Sequence, residues 1–188
     1  METRTTEFSI RNLQESNSIA LSDILSAINS KNTFVNHPIL YSEPDAGLLS
    51  DILQQHKIEH GVSLGYLQNG DEEIVGLAGF HYLEEVALYE AVCILLPEYQ
   101  PETGYAIEFT IHEAFYNLGM DKICARALPG SAAGTLFKSN GFTYCGERIF
   151  IDDAQGHLWD YYELENEGNL VSAAGQGGYA QSDWDSIF

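Results

Sequence analysis

The sequence predicts an α/β fold: a mixed, mostly antiparallel central sheet with helices on both faces. Three observations carry that prediction. Apolar residues alternate with period 2 in some segments and recur at helical spacing in others. Turn signals join neighbouring strand-like segments, and Asn69-Gly70 is the strongest of them. Between residues 86 and 142 the order runs strand, loop, helix, strand, helix, Gly-Phe, which supplies layers of both kinds around one core.

Taken in order, Phe8-Ser9-Ile10-Arg11 alternates as a first strand. Over 18–30, Ile19, Leu21, Ile24, Leu25 and Ile28 share one helical face. A loop follows over 36–45, and 46–60 reads as a second helix with Leu48, Leu49, Ile52, Leu53 and Ile58 inward. Strands at 63–67 and 73–80 flank the Gln68-Asn69-Gly70-Asp71 turn. Residues 86–96 are apolar except at Glu90, which makes them a buried strand carrying one carboxylate. Two prolines then make 97–103 a loop, because each lacks a ladder donor and biases its predecessor away from helix. Ile107, Ile111, Ala114, Phe115 and Leu118 mark a helix from near Thr103 to near Gly119. A strand at 122–128, a break at Pro129-Gly130-Ser131, a short helix at 132–139 and a stop at Asn140-Gly141 come next. A last hairpin joins 142–151 to 157–165.

After Glu165 the composition turns to Gly, Gln and Ser, so the reading is one domain over 8–165 and a flexible acidic tail over 166–188. The tail ends in Trp184-Asp185-Ser186-Ile187-Phe188, similar in style to the acidic, Phe-ending tips of bacterial single-stranded DNA-binding proteins. It is either a docking peptide for a protein partner or an ordinary tail.

The chain holds 28 acidic residues against 8 Lys plus Arg, for a net charge of −20. Such a charge repels nucleic acid and anionic membrane and favours cationic partners: amines, polyamines or basic protein tails. Cys93, Cys124 and Cys145 have no Cys-x-x-Cys spacing, so neither a disulfide framework nor a metal site is expected. Residues 1–7 carry no apolar run, and no 18-residue apolar stretch occurs anywhere. The expected compartment is the reducing cytoplasm.

The run from Glu90 through Gly104 into the helix places free backbone donors and the positive end of a helix dipole at one spot. That suits a phosphate or pyrophosphate, and serves equally as a plain turn. Gly130, Ala133, Leu136, Phe137, Gly141 and Phe142 stand at the spacing of the Asn-x-x-Ala-x-x-Leu-Tyr-x-x-x-Gly-Phe segment of the GCN5-related N-acetyltransferase superfamily, which 8–164 of this chain resembles. Tyr89-Glu90-Ala91-Val92-Cys93 and Pro97-Glu98-Tyr99 look like landmarks of its ribosomal-protein alanine acetyltransferase branch. Gly79-Phe80-His81 and the 157–164 strand do so as well.

The resemblance implies acetyl-CoA as co-substrate. It places the pyrophosphate at Glu102, Thr103, Gly104, Tyr105 and Ala106, and the pantetheine along a splayed strand at Ile94, Leu95 and Leu96. Phe137 stands where the superfamily often has a tyrosine acid, and Gly130 where it often has Asn. Glu102 would face the pyrophosphate, and like charges about 4 Å apart repel by about 1 kcal/mol in water and about 4 kcal/mol at an effective dielectric near 20. Lys122, Arg126, Lys138 and Arg148 are the cations available to offset that charge.

Acetyl transfer from a thioester needs a deprotonated amine, a donor for the developing oxyanion and a route for the leaving thiolate. Glu90 is the expected base, a carboxylate on an otherwise apolar strand; pairing with Arg126 or a wet face is the alternative. His81 is a second base, or a loop residue satisfied by backbone. His157 and Asp160 fall where the resemblance places acceptor-side residues, and Asp160 serves equally to brace a turn. Two functions therefore stand: an N-acetyltransferase of a primary amine, on a protein N-terminus or a small polyamine, or a degenerate acetyltransferase fold used as a protein-binding module.

Overall fold

The structure is a computed structural model, and it describes residues 7–11, 21–22, 24–26, 46–151 and 156–166. Strand β1 (Phe8–Arg11) is followed by helical residues at 21–22 and 24–26 and by helix α1 (Ala46–His60). Strands β2 (Leu64–Asn69), β3 (Ile74–Leu83) and β4 (Leu88–Leu95) come next. A 3₁₀ helix (Pro97–Glu102) then runs straight into α2 (Thr103–His112). The chain closes with β5 (Lys122–Ala127), α3 (Ala132–Ser139), β6 (Thr143–Ile151) and β7 (Gly156–Glu165).

The strands form one seven-stranded sheet in the order β1-β2-β3-β4-β5-β7-β6. Its pairs are antiparallel except for β4 with β5, which the α2 crossover makes parallel. The sheet is mixed and mostly antiparallel, as expected. Strand alternation sorts the side chains onto two faces. On one face, Ala106, Ile107 and Phe109 of α2 and Ala133 and Phe137 of α3 pack against Phe80, Ala78, Ile123, Ala125 and Tyr162. On the other, Leu53 of α1 and Leu21, Ile24 and Leu25 pack against Tyr66, Leu77, Val92 and Ile94. Further along that second face, Cys124, Phe150, Trp159 and Tyr161 make a separate cluster.

Three expectations are corrected. Pro97–Glu102 is helical rather than a loop. Pro97 opens the 3₁₀ turn, where no donor is needed and its fixed φ suits the helix. The ladder uses other donors: Tyr99 N–H gives to Leu96 O at 3.0 Å, and Thr103 N–H gives to Gln100 O. Val86 and Ala87 lie in the turn before β4, with Ala87 at φ 53°. The long helix changes type past His112, where Glu113–Asn117 is a π turn closed by Leu118 N–H on Glu113 O at 2.9 Å. The loop expected over 36–45 and the tail from 167 onward, with its Trp184–Phe188 tip, lie outside the described residues. Among the described residues no helix is long and apolar enough to cross a membrane.

Candidate functional site

The site begins at a fork in the sheet. β4 and β5 register at Tyr89↔Ile123 and Glu90↔Cys124, after which β4 runs on to Leu95 and β5 to Ala127 without further pairing. Which amides face the gap follows from the phase of the β3–β4 ladder. Leu96 N–H gives to Val75 O at 2.8 Å, and Gly76 registers with Leu95. In an antiparallel ladder, bonded and non-bonded pairs alternate, so Ile94 and Leu96 are bonded toward β3. Leu95 and Cys93 turn their N–H and C=O groups into the gap instead. Of Ile94, Leu95 and Leu96, only Leu95 turns its backbone groups into the gap, and Cys93 does the same. The Cys93 thiol is pushed up to about 12 by burial, which keeps it protonated and a poor nucleophile.

The helix beyond the gap offers fewer donors than its sequence implies. Thr103 N–H is taken by Gln100 O, and its hydroxyl gives to the same oxygen at 2.7 Å. A Cβ built on Gly104 meets nothing within 4 Å, so the space on the side-chain side of that residue is open. Glu102 is the N-cap residue and makes no side-chain cap bond. Tyr105 is exposed, whereas Ala106 is fully buried against Phe109 and belongs to the core. The four cations are already engaged. Lys122 pairs with Glu163 at 2.7 Å and Glu165 at 3.0 Å, and Arg126 pairs with Glu90. Lys138 lies over the Tyr144 and Tyr162 rings, and Arg148 over Tyr161.

On the face away from α2 and α3, Glu90 is 2% exposed and held by a two-point ion pair. Arg126 gives Nε–H to Oε1 and Nη2–H to Oε2, both at 2.8 Å. The guanidinium is itself walled by Phe150 and Trp159, with its carbon 4.6 Å and 5.3 Å from the ring centroids. Of the two readings open for Glu90, this is the ion-pair geometry. His81 registers with Glu90 across the β3–β4 ladder, and its Nδ1 lies 3.8 Å from Oε2. With its side chain 24% exposed, His81 connects the buried carboxylate to solvent. Behind it lies the His56 ring, centroid to centroid 4.8 Å away. His56 Nδ1–H gives to Val62 O at 3.0 Å, while Nε2 accepts from Tyr82 N–H at 2.8 Å, a pairing only the neutral ring satisfies. Burial first, and then the charge of His81, lower His56 to about 4.

The two acceptor-side candidates part company. His157 is an exposed residue near the hairpin turn, in register with Phe150. Asp160 alternates onto the α2–α3 face, opposite to His81 and Glu90, and accepts from the Tyr144 hydroxyl at 3.3 Å. Phe137 is 8% exposed and packed between Phe142 and Tyr162. Among the described residues no group of three or more His, Cys, Asp and Glu is placed to hold a metal ion.

A mutant form of a spermidine/spermine N-acetyltransferase from Vibrio cholerae superposes with a TM-score of 0.65 over 88% of this chain and 97% of its own, at 15% identity. A ribosomal-protein-S5-alanine acetyltransferase from Vibrio fischeri does so at 0.64 over 89% and 96%, at 13% identity. A dodecameric spermidine N-acetyltransferase from Vibrio cholerae gives 0.64 over 89% and 98%, at 15% identity. The chain carries the N-acetyltransferase fold. No family model matches the sequence, and no curated protein matches it.

Within that fold, sequence reasoning missed His56 and Tyr162. His56 had no signal, since its partners Val62 and Tyr82 are set by the packing of α1 against the end of β3. Tyr162 had a faint one in Gly134, a glycine inside an otherwise regular short helix.

Proposed function

We propose that the chain is an acetyl-CoA-dependent N-acetyltransferase of a primary amine, a small polyamine or a protein N-terminus. The observation that supports this most is the β4–β5 fork beside a helix end whose Gly104 faces open space. A pantetheine arm would lie in the fork against the backbone of Leu95 and Cys93, where an amide can polarise the thioester carbonyl. The pyrophosphate would lie at Gly104 and Tyr105. The amine would approach from the face of His81, which takes its proton with Glu90 behind it. Since Arg126 occupies both Glu90 oxygens, Glu90 orients and charges the site more than it accepts a proton.

The net charge of −20 favours a cationic acceptor. Spermidine or spermine and an alanine of ribosomal protein S5 are the acceptors named for the structural neighbours. One feature favours the binding-module reading: the 3₁₀ turn uses up a helix-end donor, and Glu102 stands at the place a pyrophosphate would take. Calorimetry with acetyl-CoA separates the two, followed by turnover with spermidine and with a peptide bearing N-terminal alanine. A catalyst binds the coenzyme and acetylates an amine; a chain that binds none at millimolar concentration is a module.

A further inference from the structure

His81, the residue assigned to take the amine proton, is held from two sides, and α1 supplies one of them. On the β4 side its Nδ1 lies 3.8 Å from Glu90 Oε2. On the α1 side the His56 ring lies against the His81 ring, with centroids 4.8 Å apart and planes 31° from parallel. His56 also takes the amide of the next residue, its Nε2 accepting from Tyr82 N–H at 2.8 Å. One side chain of α1 thus touches the His81 ring and fixes the peptide that follows it.

No strand reaches that amide. The phase of the β3–β4 ladder turns Tyr82 N–H away from β4, toward the β2 side. β2 begins only at Leu64, in register with Gly79, and the bond before Tyr82 on that side runs from Phe80 N–H to Ser63 O at 3.3 Å. His56 fills the place a longer β2 would take. An edge cap needs one acceptor and no more; His56 supplies a ring whose second nitrogen donates to Val62 O at 3.0 Å. Since the carbonyl only accepts and the amide only donates, the ring carries its proton on Nδ1 and cannot take a second without losing the Tyr82 bond. Burial acts in the same sense, lowering His56 to about 4.

Resting on the acetyl-transfer reading, we propose that His56 is the positioning residue for His81, a neutral ring that holds it beside Glu90 through ring contact and through the Tyr82 amide. The imidazolium formed when the amine gives up its proton faces the Glu90 carboxylate on one side and an uncharged ring on the other. A charged ring in that second place would oppose it. The remaining charged and titratable groups are Arg126 of β5, which pairs with Glu90, and His60 and Glu59 of α1. The His60 ring lies 4.6 Å from His56, on the path toward Tyr82. His81, its side chain 24% exposed, hands the proton on to water.

The test uses the full chain with acetyl-CoA as donor and spermidine or an N-terminal alanine peptide as acceptor, well below each variant's melting temperature and per folded molecule. His56→Ala should lower kcat by about 10²-fold, the order a misplaced reacting group costs, while calorimetric acetyl-CoA affinity stays within about twofold. His56→Gln, which returns an acceptor for the Tyr82 amide, should recover at least about fivefold of that loss. Leu53→Ala loosens α1 on the sheet without touching His81, and its turnover should stay within about twofold of wild type. Nitrogen NMR of the histidine rings at pH 6 should show His56 neutral with its proton on Nδ1. Turnover of His56→Ala within about threefold of wild type, a His56→Gln variant as slow as His56→Ala, or an equal loss in Leu53→Ala overturns the assignment while leaving acetyl transfer intact. A charged His56, or one protonated on Nε2, at pH 6 overturns it as well. A wild-type chain that acetylates neither amine overturns the underlying reading and this one with it.

Discussion

Replacing Glu90 with Gln removes one charge from a pair that water cannot reach, Glu90 being 2% and Arg126 1% exposed. The guanidinium keeps its full charge and loses the carboxylate that compensates it at two 2.8 Å contacts. Breaking a buried pair from one side costs about 3–5 kcal/mol. For a chain of 188 residues a loss of that size lowers the melting temperature by roughly 6–20 °C, at about 2–4 °C per kcal/mol. Removing both partners is a different matter. Glu90→Gln with Arg126→Met leaves no orphaned charge, and methionine fits the slot between Phe150 and Trp159, so most of the stability should return. Thermal unfolding of the wild type, both single variants and the double variant at pH 7 measures the cycle, with acetyl transfer assayed on the same samples. A Glu90→Gln protein that melts within about 2 °C of wild type would refute the reasoning, since an intact fold without the Glu90 carboxylate means the pair contributes nothing. If stability returns in the double variant and turnover does not, the charge of Glu90 acts on His81 as well as on the fold.

The neutral His56 makes stability fall with acid. Its folded value lies near 4 against 6.5 for the free ring, so the unfolded chain binds the proton first; the contribution is complete above pH 6.5 and is lost as pH drops toward 4. Discounted for partial exposure, this amounts to about 1–2 kcal/mol between pH 7 and pH 5, and His56→Gln should flatten that slope in urea melts. Gly104→Ala should raise stability by about 0.5–1 kcal/mol, because the new methyl meets no neighbour, while weakening acetyl-CoA binding in calorimetry; unchanged affinity would remove the helix end from the coenzyme site. Glu102→Gln should tighten acetyl-CoA binding, with the gain largest at low ionic strength and shrinking as salt screens it; equal affinity at all salt concentrations would mean the carboxylate points elsewhere.

What was legible in the sequence is what local chemistry decides. The bounds of α1 follow from helical spacing, those of α3 from that spacing cut off by Pro129-Gly130 and by Asn140-Gly141, and both helices run over the residues expected. The hairpins follow from Asn69-Gly70 and from the short polar run before Gly156. The prolines at 97 and 101 misled because they argue against α-helix, whereas a 3₁₀ turn dispenses with the donors they lack. The fork was expected only through resemblance. Which of its amides face inward depends on the hydrogen-bond phase of β3 against β4, a property of two strands together, and that phase turns Cys93 and Leu95 into the gap and Ile94 and Leu96 toward β3.

The site chemistry was less legible because its partners are far apart along the chain. Glu90 and Arg126 are 36 residues apart, and His56 and Tyr82 are 26 apart. No spacing rule links such pairs until the sheet sets the register. Gly134 shows the same limit most sharply. Read along the helix it is only a weak point, costing about 1 kcal/mol relative to alanine. Read across to β7, where Tyr162 Oη would stand 2.3 Å from any Cβ at that position, it is a requirement imposed by another strand. A residue whose local cost is offset only by a side chain from a distant strand marks where helix and sheet were settled together by packing.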